Sequence, residues 1–228
     1  MPDRSHSAVL IKSPPSKKLS EQIYERLRKD IIECVFDPGA LLEEAFVTER
    51  YQIGRTPFRE ACHWLEAEGL LEIVPHRGCF VASFSNKDIT DLFETRLMIE
   101  PPVAELAAQR SDPSQLGDLV KNLTEAVRIR RARGVDVALE VNWNSMDFHV
   151  QVAVLTQNQE LQGLVENLQT KLMRIIMFTA RRTPQNYPLD SIHPEIFDAI
   201  RKQKPSEARR WMIKDLERAR EWVRDFGR

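Results

Sequence analysis

Two groups of residues in this 228-residue chain have types and spacing suited to chemistry. The first is a polar helical face. Over residues 55–68, Phe58, Ala61, Cys62 and Leu65 recur at i, i+3, i+4 and i+7, which predicts a buried stripe. The opposite face then carries Thr56, Arg59 and His63, with Arg55 at its N-terminal edge. Guanidinium forks at the exposed start of a helix can pair with guanine edges or phosphates in a major groove. The second group consists of polar residues set into apolar helical stripes. Arg96 and Glu100 fall among Ile89, Leu92, Phe93 and Val103. Ser145 falls among Val141, Phe148, Val152 and Leu155, with His149 on the flank. Asp215 is the only charge among Ala208, Trp211, Met212, Ala219, Trp222, Val223 and Phe226. A charge in a core stripe is costly unless it is paired or bound to something. Arg96 and Glu100 can form an i, i+4 pair, and a lone histidine is commonly a satisfied core residue; Asp215 has no partner on its own stripe.

The elements that must position these residues can be read in chain order. Residues 1–16, with Pro14-Pro15 and several serines, read as a mobile tail. Leu19 to about Cys34 reads as a helix with Ile23, Leu27, Ile31 and Ile32 on one stripe and Glu21, Arg28 and Lys29 facing out. Asp37-Pro38-Gly39 is a turn. A helix from near Glu43 to before Gln52, the short Gln52-Ile53-Gly54 connection and a second helix from Arg55 to Glu68 read as a helix-turn-helix. Pro57 suits the first turn of the second helix, where a missing N–H costs little. Two extended runs, Leu71–Val74 and Cys79–Ala82, flank Pro75-His76-Arg77-Gly78, which predicts a hairpin wing with a basic tip. The DNA-binding domain so defined is 17–82, and 83–86 is a linker whose Ser85 or Asn86 can cap the next helix.

From residue 87 to 228 the pattern is helical, with about six helices near 87–110, 114–132, 135–156, 159–181, 190–203 and 205–226. The breaks are Ser111-Asp112-Pro113, Arg133-Gly134, Gln157-Asn158, Thr183–Pro188 and Lys204-Pro205-Ser206. Pro101-Pro102 is expected to kink or break the first of these helices, because two consecutive N–H groups are lost. The fold class is therefore mainly α: an N-terminal winged helix-turn-helix followed by an all-helical bundle large enough to enclose a pocket.

Composition bounds the partners. An apolar content of 42% with 29% charged residues excludes a disordered chain, and no apolar run reaches the length of a membrane span. The start lacks the apolar core of a signal peptide, and Cys34, Cys62 and Cys79 have no metal-ligand spacing, so a cytoplasmic protein with reduced thiols is expected. Residues 1–82 hold 11 Lys/Arg against 13 Asp/Glu, so the usual basic footprint of a nucleic-acid binder is missing. Binding must then rest on a few placed arginines and on dimerisation.

The sequence resembles the GntR family of transcriptional regulators. The resemblance is carried by Arg55-Thr56-Pro57-Phe58-Arg59-Glu60-Ala61, Leu65-Glu66-Ala67-Glu68-Gly69-Leu70-Leu71, Arg77-Gly78-Cys79-Phe80-Val81 and the upstream Asp37-Pro38-Gly39-Ala40-Leu41-Leu42-Glu43-Glu44. It implies a ligand-responsive regulator, not an enzyme, that binds a palindromic double-stranded operator as a homodimer. Its DNA contacts would be Arg55, Thr56, Arg59 and His63 on the helix and His76, Arg77 and Gly78 on the wing. Gln52 stands where the family usually has a turn glycine, Gly54 where it has a capping Ser or Thr, and Ala45 where Arg is frequent.

The C-terminal half is similar to the effector domain of the FadR subfamily, through Leu92-Phe93-Glu94-Thr95-Arg96-Leu97-Met98-Ile99-Glu100-Pro101, Asp147-Phe148-His149 with Asn158, and His193 with Ile196, Ala199 and Ile200. Many members of that subfamily bind a divalent metal through one Asp and three His. Position by position the resemblance maps those ligands to Ser145, His149, His193 and Asp215, so the Asp has become Ser and the last His has become Asp. His149, His193 and Asp215 can still hold Zn²⁺, Ni²⁺ or Mn²⁺ with open positions; equally, the two departures can mark a site that takes its effector without metal. With Arg96 and Ser145 in reach, the implied effector is a small carboxylate, an organic or sugar acid. The rival reading is a metal-dependent enzyme built on the same two-His-one-carboxylate set.

Overall fold

The computed structural model describes residues 19–131, 137–182 and 192–225. The expected tail at 1–16, the breaks at Arg133-Gly134 and Thr183–Pro188, and the side chains of Val141 and Phe226 lie outside the described residues. The N-terminal unit runs α1 (Leu19–Ile32), β1 (Leu41–Leu42), α2 (Glu44–Tyr51), α3 (Arg55–Ala67), β2 (Leu71–Val74) and β3 (Gly78–Val81). Its core is the set that the helical period selects. Ile23, Leu27 and Ile31 of α1 meet Phe58, Ala61 and Leu65 of α3, with Leu71 and Val81 of the sheet beneath them. The expected two-stranded wing is a three-stranded antiparallel sheet in the order β1-β3-β2. Leu41 pairs with Phe80 and Leu42 with Cys79, while Leu71 pairs with Val81 and Val74 with Gly78. The added strand ties the start of α2 to the wing.

Both departures at the helix-turn-helix turn have a structural counterpart. Gln52 caps α2 at φ +55°, in the left-handed region that a glycine enters without steric cost. Gly54 caps α3 in extended backbone with no side-chain bond to the helix N-terminus. At the wing, Gly78 has φ +111°, and a Cβ there would lie 2.9 Å from Leu41 Cδ1, so only glycine fits.

Six α-helices follow among the described residues: α4 (Asn86–Arg110), α5 (Gly117–Arg131), α6 (Val137–Val154), α7 (Gln159–Arg182), α8 (His193–Arg201) and α9 (Pro205–Asp225), with a 3₁₀ turn at Pro113–Leu116. Ser85 caps α4: its hydroxyl accepts from Asp88 N, and Asp88 accepts from Ser85 N at 2.7 Å. Asn86, expected in the linker, is the first residue of the helix.

Of the kink or break expected at Pro101-Pro102, the break does not occur, and α4 continues through both. The two missing N–H groups free the carbonyls of Leu97 and Met98, and Met98 is 74% exposed, which leaves water access on that side. Packing holds the rest, because α4 lies along α9 more extensively than any other helix pair. Fully buried Ala104, Ala107 and Ala108 let the two backbones approach.

The two units meet along α7. Ile32 and Cys34 at the end of α1 pack on Met173 and Met177. Arg28, expected to face solvent, is half-buried at this junction: its Nε donates to Glu68 Oε2 at 2.8 Å and its Nη2 to Thr170 Oγ1 at 3.1 Å. Buried Arg174 donates to the Ala82 carbonyl, and Arg181 Nη1 donates to the Cys34 carbonyl at 2.9 Å. An amphipathic pattern cannot reveal such a residue, since its partners lie on a distant helix.

The strain at Gln52 yields a test. Gln52→Gly removes a left-handed L-residue that costs about 1 kcal/mol and is expected to stabilise the protein by a similar amount, less the added chain entropy of glycine. Urea denaturation reads this as a higher midpoint at unchanged slope; a lower midpoint would show that the Gln52 side chain contributes more than its backbone costs.

Candidate functional site

The exposed face of α3 lies where its periodicity puts it. Phe58, Ala61, Cys62 and Leu65 are buried, and Arg55, Thr56, Arg59 and His63 are exposed. Arg55 and Arg59 project from the first turn and the next, at 81% and 68% side-chain exposure. His63 Nδ1 lies 3.7 Å from Glu66 Oε2. On the wing, Pro75 to Gly78 are exposed, His76 sits at φ +61°, and the Arg77 guanidinium lies 5.8 Å from the centre of the Phe80 ring. One neighbour was not anticipated. Glu44, in the first turn of α2, faces both recognition arginines: Arg59 Nε donates to Oε2 at 3.1 Å and Arg55 Nε lies 3.1 Å from Oε1.

The second site is inside the helical unit. Arg96 and Glu100 on α4, His149 on α6, His193 at the start of α8 and Asp215 on α9 come together in the core. Arg96 Nε donates to Glu100 Oε1 at 2.5 Å, and Nη2 donates to Oε2 at 3.4 Å. His149 Nδ1 lies 2.6 Å from Glu100 Oε2, an ion-pair distance whose N–H direction misses hydrogen-bond alignment. Gln169 of α7 donates to the same oxygen at 3.0 Å. On the other side of the ring, His149 Nε2 lies 3.3 Å from Asp215 Oδ2, and His193 Nε2 lies 3.8 Å from that oxygen. Phe148 stacks on His193 with ring centres 4.1 Å apart, which fixes the imidazole plane. Ser145 is half-buried one helical turn before His149, on the same face of α6.

Burial opposes every charge here, and the neighbours overcome it. Desolvation would raise the Glu100 carboxyl, but Arg96 and His149 hold it near 2. Desolvation would lower His149, but Glu100 and Asp215 bring it up to about 9. Asp215 is likewise opposed by burial, yet His193, His149 and Arg96 keep it well below the usual carboxylate range. The cluster is thus a set of charges stable only together. Two buried donors of the cluster lack an aligned hydrogen-bond partner among the described residues: His149 Nδ1, which still faces Glu100 at ion-pair distance, and Arg96 Nη1.

The donor set also fits a metal. Ligand atoms of His149, His193 and Asp215 lie within 4.8 Å of one another. Bonds of about 2.1 Å in a tetrahedral site put neighbouring donors roughly 3–4 Å apart, close to the separations found.

Comparisons with known proteins show the family. A model of the bacterial regulatory proteins of the gntR family matches residues 19–81, and one for the FCD domain matches residues 91–218, more than half of the chain. The HTH-type transcriptional repressor RspR of Escherichia coli (strain K12) is 30% identical over 212 residues, covering 93% of this chain and 92% of that protein. The chain belongs to the GntR family of transcriptional regulators. The Exu regulon transcriptional regulator of Escherichia coli (strain K12) is 28% identical over 222 residues, covering 88% of this chain and 83% of that one. A solved GntR transcriptional regulator from Rhodococcus sp. RHA1 superposes with a TM-score of 0.76 at 22% identity over 92% of this chain and 99% of that one. Escherichia coli McbR/YncC gives 0.77 at 16% identity, covering 92% of this chain and 98% of that one; both likenesses concern the fold. The relatives are regulators and not enzymes, so the metal-enzyme reading is set aside for this GntR protein.

Two site residues were missed from sequence, Glu44 and Gln169, and Glu100 was read too narrowly. Gln169 carried a usable signal, since it interrupts the apolar positions Val165, Leu168, Leu172 and Met173 of α7. Glu100 was read as a local partner of Arg96, and its contacts to α6 and α7 have no local signature. Its removal is a strong test of the cluster: Glu100→Ala leaves Arg96 and His149 without their carboxylate and is expected to cost about 3–5 kcal/mol in chemical denaturation. A loss below about 1 kcal/mol, the range of an exposed pair, would mean that water reaches these charges.

Proposed function

We propose that this GntR regulator is a ligand-responsive homodimer that binds a palindromic double-stranded operator through α3 and the wing. In this reading it senses a small carboxylate, an organic or sugar acid, at the buried charged cluster of the helical domain. The observation that carries the effector assignment is the unpartnered Arg96 Nη1 beside the His149–His193–Asp215 donors. A buried guanidinium donor without a partner is costly, and a carboxylate oxygen satisfies it. Arg96 would fix the ligand, with Ser145 offering a hydroxyl from the adjoining turn. A divalent metal held by His149, His193 and Asp215 would supply Lewis-acid coordination to the same carboxylate. Among the described residues no helix is long and apolar enough to cross a membrane, which accords with a cytoplasmic regulator.

The signal would leave the pocket through α7. Gln169 touches Glu100, while Thr170 and Arg174, one and five residues further on, hold Arg28 and the Ala82 carbonyl of the DNA-binding unit. A ligand that draws on Arg96 changes the balance around Glu100 and hence the seat of α7. Linkage then requires effector and operator to alter one another's affinity by the same factor. A thermal-shift screen of small carboxylates, with and without chelator, is expected to find one that raises the melting temperature of wild type. Arg96→Lys, which keeps the charge and loses the fork, is expected to bind it at least about tenfold more weakly. Gln169→Leu is expected to retain that binding but lose its effect on operator retention. No stabilising carboxylate under either condition would end the effector reading.

Dimerisation follows from the weak charge of the DNA-binding half, because two-fold symmetry doubles a small set of contacts. Sedimentation at micromolar concentration is expected to give the mass of two chains. A single-chain mass accompanied by tight binding to one half-site would refute it.

A further inference from the structure

Glu44 places a carboxylate on the surface that this reading turns toward a polyanion. Such a charge repels phosphates and offsets one of the two arginine charges beside it. It adds little to the fold, because ion pairs with arginines this exposed contribute little to stability. Its position is nevertheless well defined. Glu44 opens α2 directly after β1, which pairs with β3 of the wing, and its side chain is only 30% exposed. Its backbone carbonyl accepts from Thr48 Oγ1 at 2.7 Å, and its carboxylate at the N-terminal turn is favoured by the helix dipole.

What the carboxylate does is take the Nε side of two guanidinium groups at once. Oε1 faces Arg55 Nε and Oε2 faces Arg59 Nε, both at 3.1 Å. A guanidinium held at Nε keeps its Nη1 and Nη2 pair free, and that pair is the fork that matches O6 and N7 of one guanine. Side-on pairing through Nε and Nη2 is blocked for Arg59, whose Nε donates to Glu44, and hindered for Arg55, whose Nε lies at the same distance from the other carboxylate oxygen. Two long side chains that would otherwise sample many rotamers are thereby aligned before DNA arrives, and such preorganisation lowers the cost of binding.

We propose that Glu44 is a positioning residue for sequence reading: it orients Arg55 and Arg59 and so sets operator specificity at some expense to general DNA affinity. The proposal rests on the reading that α3 enters the DNA groove. The full-length protein is used, with a duplex enriched from a random-sequence pool by wild type and a scrambled duplex of equal length. Glu44→Gln is expected to bind the scrambled duplex more tightly and the enriched duplex more weakly, so that the ratio of the two affinities falls about tenfold. Glu44→Asp keeps the charge but shortens the reach, and is expected to lower the same ratio without tightening the scrambled duplex. The melting temperature of Glu44→Asp stays near the wild-type value and that of Glu44→Gln falls only by the small helix-dipole contribution, which separates positioning from a role in folding. Glu44→Gln tightening both duplexes by one common factor would reduce Glu44 to a repulsive charge and overturn the proposal. An Arg55→Ala/Arg59→Ala variant runs alongside: if it keeps the wild-type ratio, the recognition-helix reading itself falls, whatever Glu44 does.

Discussion

Glu100 has to answer for more charge than its own. It is buried between the Arg96 guanidinium and the His149 imidazole, with Gln169 donating to the oxygen nearest the ring. Remove the carboxylate and only Asp215 is left to balance Arg96, His149 and His193; remove the cations and the carboxylate takes up a proton. The helices that carry these groups are therefore fixed in register by electrostatics as well as by apolar packing. Five of the six helices described after the linker, α4, α6, α7, α8 and α9, contribute to this one cluster. The surrounding core of Val103, Phe148, Val152, Ile196, Ile200, Met212 and Leu216 excludes the water that would otherwise weaken the pairs.

That arrangement gives α7 an unusual position. Its Gln169 belongs to the polar centre of one unit, and within two turns Thr170, Arg174 and Met177 belong to the contact with the other. Arg28 extends the contact to Glu68, the C-cap of the recognition helix, where Tyr24 donates to the same carboxylate. The chain linker at Ser83–Ser85 is thus only one of the connections between the halves, and the shorter physical route runs through side chains.

Much of this was legible in the sequence, for reasons that also explain the rest. The stripes of α1 and α3 repeat with the helical period, so Ile23, Leu27, Phe58 and Leu65 could be assigned to a core without partners being known. Asp215 was conspicuous because a lone charge in an apolar stripe needs an explanation, and its contacts to His149 and His193 provide one. His193 itself came only from the family resemblance, since a histidine at a helix start has no periodic signature. β1 was invisible because two residues have no period, and its strand character comes entirely from β3. Arg28, Arg174 and Glu44 were unreadable for one shared reason: each is defined by a partner on a different element. The run through Pro101-Pro102 shows local preference yielding to packing, as α4 has its most extensive helix contact with α9.

The charge of the DNA-reading half bears on how many molecules a cell has to make. A regulator's phosphate attraction distributes it over the genome, where on the order of 10⁶–10⁹ non-operator positions compete for it. With 11 basic against 13 acidic residues over 1–82, and with Glu44 set against the exposed Arg55 and Arg59, this half has little such attraction to give. Few molecules are then lost to the bulk of the chromosome. A small pool can fill a few operators, and each change in copy number reaches them undiluted.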